Sequence, residues 1–184
     1  MLTVKNCITG LVLLSSSYLS AASPVIAAED APVLHDRVRE PAPAGEPYAW
    51  IEYFTGDPES TDCVTLNPGA HLVLSNSTSH LEKRSGARTF TAYSSPGCSS
   101  GYIASTSGWG CVNPNCFNWG RGALSTKLTQ EKKDKTYPTA DLHNSAACGG
   151  SRQHHQGIDG TQSCDDANFY GSSGWQSAEL WYNC

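Results

Sequence analysis

The sequence predicts an all-β domain that is held together by disulfides. Glycine is abundant, with 17 residues in 184, and amphipathic helical periodicity is nearly absent. Short stretches of alternating apolar and polar residues are instead separated by turn residues, a pattern typical of strands joined by turns. Eight cysteines add the cross-links that a small domain of an oxidising compartment uses.

The amino terminus is typical of a secretory signal peptide, which we place at residues 1–28. Lys5 supplies the positive charge, Ile8–Leu14 forms a short apolar segment, and small residues such as Ala22 and Ala28 follow it. The apolar segment is too short to cross a bilayer. We therefore expect a secreted, extracellular protein with no transmembrane segment.

Residues 29–47 are rich in proline and acidic residues, which predicts a disordered segment that cannot bury enough apolar surface to fold. Residues 48–184 are predicted to form a single secreted β domain. Asn76-Ser77-Thr78 matches a glycosylation acceptor, so Asn76 is a candidate glycosylation site.

Strands are predicted at 48–55, 70–75, 89–93, 101–105, 123–128 and 176–183. The first is dense in aromatic and β-branched residues, and the second alternates Leu72 and Leu74 with polar neighbours. In the last, Ala178, Leu180 and Tyr182 should share one buried face.

Lys83-Arg84 ends a charged run and is typical of the sites that secretory processing proteases cut, which would extend a propeptide to residue 84. The alternative is an ordinary exposed pair. Cleavage would leave an even set of cysteines that can form three disulfides, with fifteen pairings open: Cys98, Cys111, Cys116, Cys148, Cys164 and Cys184. We expect Cys184 to join Cys148 or Cys164, and Cys63 to be the odd cysteine.

A faint internal repeat suggests two related motifs. Phe117, Gly122, Ser125 and Leu128 recur at one constant offset as Phe169, Gly174, Ser177 and Leu180. Cys111 and Cys164 precede the two sets at similar distances, and Cys98 and Cys148 occupy roughly corresponding places further upstream.

The run Tyr93–Cys98, followed by Gly110-Cys111, a glycine loop and Ser125-x-x-Leu128, resembles fungal small secreted cysteine-rich proteins. Some of these are similar to βγ-crystallin Greek-key domains, in which an aromatic strand, a glycine turn and a late serine recur once per motif. The resemblance covers about residues 89–184 and implies a Greek-key sandwich. It also implies an effector or a killer-toxin-like protein, some of which are made with a propeptide that ends in a dibasic site. The crystallin calcium signature is missing from 121–124 and 174–176.

Charge and ligand spacing argue against several function classes. A net charge of −5 with 16% charged residues disfavours nucleic-acid binding, which needs a basic face. The densest set of metal-ligand types is His154-His155 with Asp159, Asp165 and Asp166. Adjacent histidines on a strand point to opposite faces, so both cannot easily bind one metal. We expect a polar loop there, with no metal and no cofactor. Cys111 and Cys116 have zinc-like spacing, but in a secreted chain we expect disulfides.

Catalytic residue types are present without a motif that fixes their geometry: Glu52, Glu82, His80, His143 and Glu179. We expect Glu52 and Glu179 to be outward-facing strand residues, although Glu52 with a distant histidine is the sharpest catalytic alternative. We predict no catalytic residues.

Three tryptophans lie beside glycine in loop-like sequence and are the candidate binding residues: Trp109, Trp119 and Trp175. The alternative is that they cap a small core.

Together these features favour a secreted, non-enzymatic effector or antimicrobial, killer-toxin-like protein that acts on a protein, glycan or membrane target in another organism. The alternatives are a secreted hydrolase or ribonuclease, and a carbohydrate-binding module. A histidine and a carboxylate in one cleft would favour the enzyme, and a coplanar row of exposed tryptophans would favour the carbohydrate binder.

Overall fold

The strands of the molecule are short and numerous. The computed structural model describes residues 37–54, 63–74, 88–109, 115–133 and 137–183, all within one compact unit. Twelve strands lie in these ranges: Arg37–Pro41 (β1), Trp50–Phe54 (β2), Val64–Thr65 (β3), Ala70–Leu74 (β4), Arg88–Tyr93 (β5), Tyr102–Ser107 (β6), Asn115–Ala123 (β7), Ser125–Gln130 (β8), Tyr137–His143 (β9), His154–Gln156 (β10), Gln162–Asp166 (β11) and Trp175–Asn183 (β12). The six predicted strands correspond to β2, β4, β5, β6, β8 and β12.

The strands form two sheets that pack face to face. One sheet has the order β1-β2-β4-β6-β5-β8-β11 and the other β10-β9-β12-β7-β3. Alternate residues of each sheet point into one shared core, where Leu72, Phe90 and Leu128 from the first sheet meet Phe117 and Leu180 from the second. The all-β, disulfide-stapled sandwich that the sequence predicts is therefore confirmed.

Two motifs of the same topology build most of the sandwich. β5–β8 form the first and β9–β12 the second. In each motif the third strand leaves its own sheet and pairs with the last strand of the other motif, so β7 pairs with β12 and β11 pairs with β8. The remaining strands give the matching orders β6-β5-β8 and β10-β9-β12. The two related motifs predicted from the repeat are thus present.

A buried serine fastens the same turn in each motif. The Ser125 hydroxyl donates to the Ser95 carbonyl at 2.6 Å and accepts from the Cys98 backbone N–H at 3.0 Å. Ser177 makes the equivalent pair of bonds in the second motif, at 2.6 and 2.9 Å. Cys98 and its counterpart Cys148 share a left-handed φ of 52° and 51°. The repeat therefore corresponds to a structural device that occurs twice.

The segment before β5 adds strands to both sheets. β4 lies parallel to β6, β2 lies parallel to β4, and β1 closes the edge, while β3 lies parallel to β7. The disorder predicted for residues 29–47 is wrong from Arg37 onward. Arg37 and Arg39 bind the buried Glu52 carboxylate, and the Arg39 guanidinium lies 4.6 Å from the Trp50 ring centroid. These anchors order a sequence that carries little apolar surface of its own.

Disulfide contacts join the motifs and attach the N-terminal strands. Cys98 bonds Cys164, whereas Cys116 lies in bonding contact with both Cys63 and Cys148. Cys164, one of the two partners expected for Cys184, is bonded to Cys98, which contradicts that pairing. The pairing of Cys184 with Cys148 stays a prediction. Cys111 and Cys184 themselves lie outside the described residues, as do Asn76 and the Lys83-Arg84 pair.

Candidate functional site

The three tryptophans predicted as binding residues lie in the core. Trp109 and Trp175 are fully buried and Trp119 is 2% exposed. The Trp119 indole N–H donates to the Trp175 carbonyl at 2.9 Å, and its ring packs against Phe90 with centroids 5.5 Å apart. Their burial corrects the expectation that they are exposed anchors, since no ring face is open to a ligand. The alternative, that they cap the core, describes them.

The exposed aromatic surface is elsewhere, at Phe169 and Tyr170. They end a 3₁₀ turn, Ala167–Tyr170, and are 84% and 40% exposed. Ala167 is buried and anchors the turn, while Gly171 reverses the chain with a φ of 75°, a left-handed conformation that favours glycine. The repeat had aligned Phe169 with the buried Phe117, and that part of the repeat has no structural counterpart.

A stack of rings supports this surface from below. Tyr170 stacks on His154 with centroids 3.5 Å apart, and His154 lies over Trp175 at 5.9 Å. The His154 Nε2 is 2.9 Å from the Asp165 carboxylate, which fixes the ring. Partial burial and the Asp165 carboxylate raise the pKa of Tyr170, so its phenol stays neutral. We call Phe169, Tyr170, His154 and Asp165 the aromatic patch.

The two exposed rings of the aromatic patch are not coplanar. Phe169 meets Tyr170 edge to face, at an interplanar angle of 79° and a centroid distance of 5.1 Å. Flat sugar platforms use rings that face the same way, whereas a protruding apolar edge suits a hydrophobic pocket of a partner. The patch is therefore better shaped for a protein than for a polysaccharide.

The ligand types clustered in sequence around His154 separate in space. The polar loop predicted at His154-His155 is wrong, because these residues form the strand β10 paired with β9. His155 points away from His154 on this strand, and its Nδ1 lies 2.6 Å from Asp141. Asp159 pairs with Lys133 at 2.7 Å, and Asp166 accepts the Gly97 backbone N–H at 2.7 Å. Each group has its own partner, so this set does not converge on one point.

Glu52, the sharpest catalytic alternative, is a structural anion. Its carboxylate is buried, against our expectation of an outward-facing residue, and it accepts hydrogen bonds from Arg37, Arg39 and Asn67. Burial alone would raise the pKa of Glu52, but the Asn67 amide and the two guanidiniums together hold it below its usual value. A carboxylate so fully engaged cannot act as a proton acceptor for a substrate.

A histidine between two serines lies on the outer face of β4 and β6. His71 Nδ1 is 2.6 Å from the Ser105 hydroxyl, and Nε2 is 3.0 Å from the Ser107 hydroxyl. Tyr48 stacks on the imidazole at 5.0 Å. Burial lowers the pKa of His71 to about 4, so the ring is neutral at pH 7. No sequence motif marked these residues, because parallel pairing of β4 and β6 is what brings them together.

His143 and Glu179 do meet, on β9 and β12. The imidazole Nε2 lies 3.9 Å from the Glu179 carboxylate, and both groups are within 4.8 Å of the Cys148 sulfur. Glu179 is partly exposed, as expected, and His143 is buried. The two remaining catalytic types, His80 and Glu82, lie outside the described residues.

Among the described residues, no helix is long and apolar enough to cross a membrane. No family model, curated protein or solved structure matches this chain.

Proposed function

We propose that this chain is a secreted, non-enzymatic effector or killer-toxin-like protein that binds a protein target in another organism. The signal-like amino terminus supports secretion, and disulfides persist in the compartments that secreted proteins occupy. The serine-fastened turn that recurs once per motif supports the resemblance to βγ-crystallin-like members of the fungal cysteine-rich proteins.

The observation that carries the proposal is the exposure of Phe169 and Tyr170 on a braced turn. An 84% exposed phenylalanine buries little surface within the fold, so it contributes little to the stability of the chain itself. Tyr170 stacks on His154, which itself lies over Trp175, and this limits rotation of the Tyr170 ring. Rigid aromatic anchors lose little conformational entropy on binding and dominate recognition energies.

The test is alanine substitution at each exposed ring, with Val38→Ala as the matched control. Val38 is also an exposed apolar residue, at 53%, on β1. Phe169→Ala and Tyr170→Ala should each lower potency in growth-inhibition or host-response assays about tenfold or more, or about 1–3 kcal/mol. The thermal midpoint should stay nearly unchanged for Phe169→Ala, and the control should keep full potency.

Full potency in both ring variants would show that the binding surface lies elsewhere. Loss of polysaccharide binding in both variants, measured on immobilised glycans, would replace the protein target with a carbohydrate.

A hydrolase is the second candidate, and the His71 cluster is the observation that favours it. A neutral imidazole within hydrogen-bond reach of two hydroxyls is the arrangement that activates a serine nucleophile. Ser107 is the half-exposed hydroxyl of the two, whereas Ser105 is buried. Labelling of the secreted protein by a fluorophosphonate probe, lost in Ser107→Ala and kept in Phe169→Ala, would establish the enzyme. Absence of labelling would leave the binding function.

A further inference from the structure

Cys63, Cys116 and Cys148 form a cluster of three sulfurs, which we call the cysteine triad. The three Sγ atoms lie within 4.8 Å of one another, and each residue is half-buried. A sulfur atom forms one disulfide at a time. At most one bond therefore exists within the triad at any moment, and one member is left outside it.

The fold gives a reason for the bond between Cys116 and Cys148. It is the counterpart of Cys98–Cys164, because each joins the left-handed turn cysteine of one motif to the third strand of the other. The Cα atoms are 6.0 Å apart in both pairs. This bond belongs to the paired motifs and does not involve the N-terminal strands.

The fold gives an equally direct reason for the bond between Cys63 and Cys116. Val64, next to Cys63, pairs with Phe117, next to Cys116, in the parallel β3–β7 ladder. The Cα atoms of the two cysteines are 4.6 Å apart, within the range that disulfides span. This bond attaches the N-terminal segment covalently to the second sheet.

We propose that the cysteine triad is a thiol–disulfide exchange site with Cys116 as the shared sulfur. The Cys63 thiol releases its proton to water, and the resulting thiolate attacks Cys116 Sγ, forming the Cys63–Cys116 bond and breaking the Cys116–Cys148 bond. The bonding electron pair leaves on Cys148 Sγ, which takes up a proton. One disulfide and one thiol are present before and after, so the step consumes no oxidant and no reductant.

The surroundings of Cys148 suit it as leaving and returning thiolate. His143 lies within 4.8 Å of its sulfur and is 4% exposed. Neither ring nitrogen of His143 has a hydrogen-bond partner among the described residues, and its Nε2 lies 3.9 Å from the Glu179 carboxylate, which is also close to the sulfur. An imidazole beside a cysteine is an arrangement that favours its thiolate, the reactive form in exchange.

The exchange decides how the N-terminal strands are held. In one state Cys63 joins them covalently to β7, and in the other they are held noncovalently, by strand pairing and by core packing of residues such as Phe54 and Leu72. The proposal is independent of the target-binding function, because Phe169 and Tyr170 take no part in it.

The test is to map linkages in the full-length chain secreted from a eukaryotic host. Acid quenching, alkylation with N-ethylmaleimide and digestion without reduction should give two linked peptides, Cys63–Cys116 and Cys116–Cys148. The label should be divided between Cys63 and Cys148. Slow alkylation of the native protein before the quench should change the ratio of the two linkages. Alkylation traps the form whose free thiol reacts faster, and exchange then converts the other form into it.

Two variants and an internal control sharpen this result. Cys63→Ser should give only the Cys116–Cys148 linkage, and Cys148→Ser only Cys63–Cys116, both without label within the triad. Cys98 and Cys164 should remain unlabelled throughout. A single linkage in the wild-type chain, a ratio that native alkylation leaves fixed, or three thiols that retain stoichiometric zinc would each overturn the proposal.

Discussion

Removing the Ser125 hydroxyl should destabilise the sandwich, because this hydroxyl holds the turn that contains Ser95 and Cys98. Ser125→Ala deletes an oxygen that donates to the Ser95 carbonyl and accepts from the Cys98 backbone N–H. Ser125 is fully buried and Cys98 is 8% exposed, so water has little access to replace the lost partner. The substitution adds no bulk and should leave the strands in place.

The expected loss is about 3–4 kcal/mol. Each of the two hydrogen bonds contributes about 1 kcal/mol net, and an unpaired buried N–H adds about 1–2 kcal/mol. Ser177→Ala removes the equivalent bonds of the second motif, where Cys148 is half-buried and water can partly compensate. We expect about 2 kcal/mol there.

Urea denaturation of the oxidised protein, followed by tryptophan fluorescence, measures both losses. Ser100→Ala, at an exposed serine of the same turn region, should change the free energy of unfolding by no more than about 0.5 kcal/mol. A loss below about 1 kcal/mol for both Ser125→Ala and Ser177→Ala would refute the reasoning that these hydroxyls fasten the motifs.

Three further predictions follow from burial and pairing. Burial lowers the pKa of His71 to about 4 from an unfolded value near 6.5, so stability should fall by up to about 3 kcal/mol as pH drops through that window. His71→Gln should flatten the pH dependence of the urea midpoint there, and an unchanged slope would contradict the assignment. Trp119→Ala should lower the free energy of unfolding by about 3–5 kcal/mol because the indole is buried, whereas Phe169→Ala should leave the thermal midpoint nearly unchanged. Equal losses of stability in the two variants would contradict the difference in burial. If Lys83-Arg84 is cut, native mass spectrometry should find the N-terminal strands still bound, whereas the denatured and reduced protein should show two chains. Alanine at both positions should restore a single chain. A single chain in the denatured and reduced wild-type protein would show that the site is not cut.

The strands that sequence alone located are those with clean alternation. In β4, Leu72 and Leu74 point inward and His71 and Val73 outward, and β5 and β12 alternate in the same way. β2 was instead marked by its aromatic and β-branched residues. β9 was missed because Pro138 interrupts it, although Ala140 and Leu142 alternate with polar neighbours. Its proline is tolerated beside Tyr182 at the end of the ladder. The alternation was therefore present but masked by a residue that usually argues against a strand.

The tryptophans show where a local rule failed. Glycine beside Trp119 suggested a loop, yet Phe117 and Trp119 lie two residues apart and both point into the core from β7. That period of two was the available signal. No periodicity in the sequence indicated that Phe169 is exposed, because its exposure depends on the position of its turn relative to the packed sheets.

The cysteine triad could be predicted from the sequence only in part. An odd number of cysteines after the signal-like segment marked Cys63 as unusual. Its neighbours Cys116 and Cys148 follow from the parallel β3–β7 pairing and from the exchange of strands between motifs, both long-range features that spacing does not encode.

The exchange of third strands means that neither motif is a complete folding unit. Within the two motifs, β7 pairs only with β12 and β11 only with β8, so an isolated half would expose unpaired strand edges. A chain divided between β8 and β9 should therefore behave as complementing fragments, each unstable alone and both required to rebuild the sandwich. Two identical halves could close the same edges as a homodimer, which makes the present chain equivalent to such a dimer joined by one covalent linker.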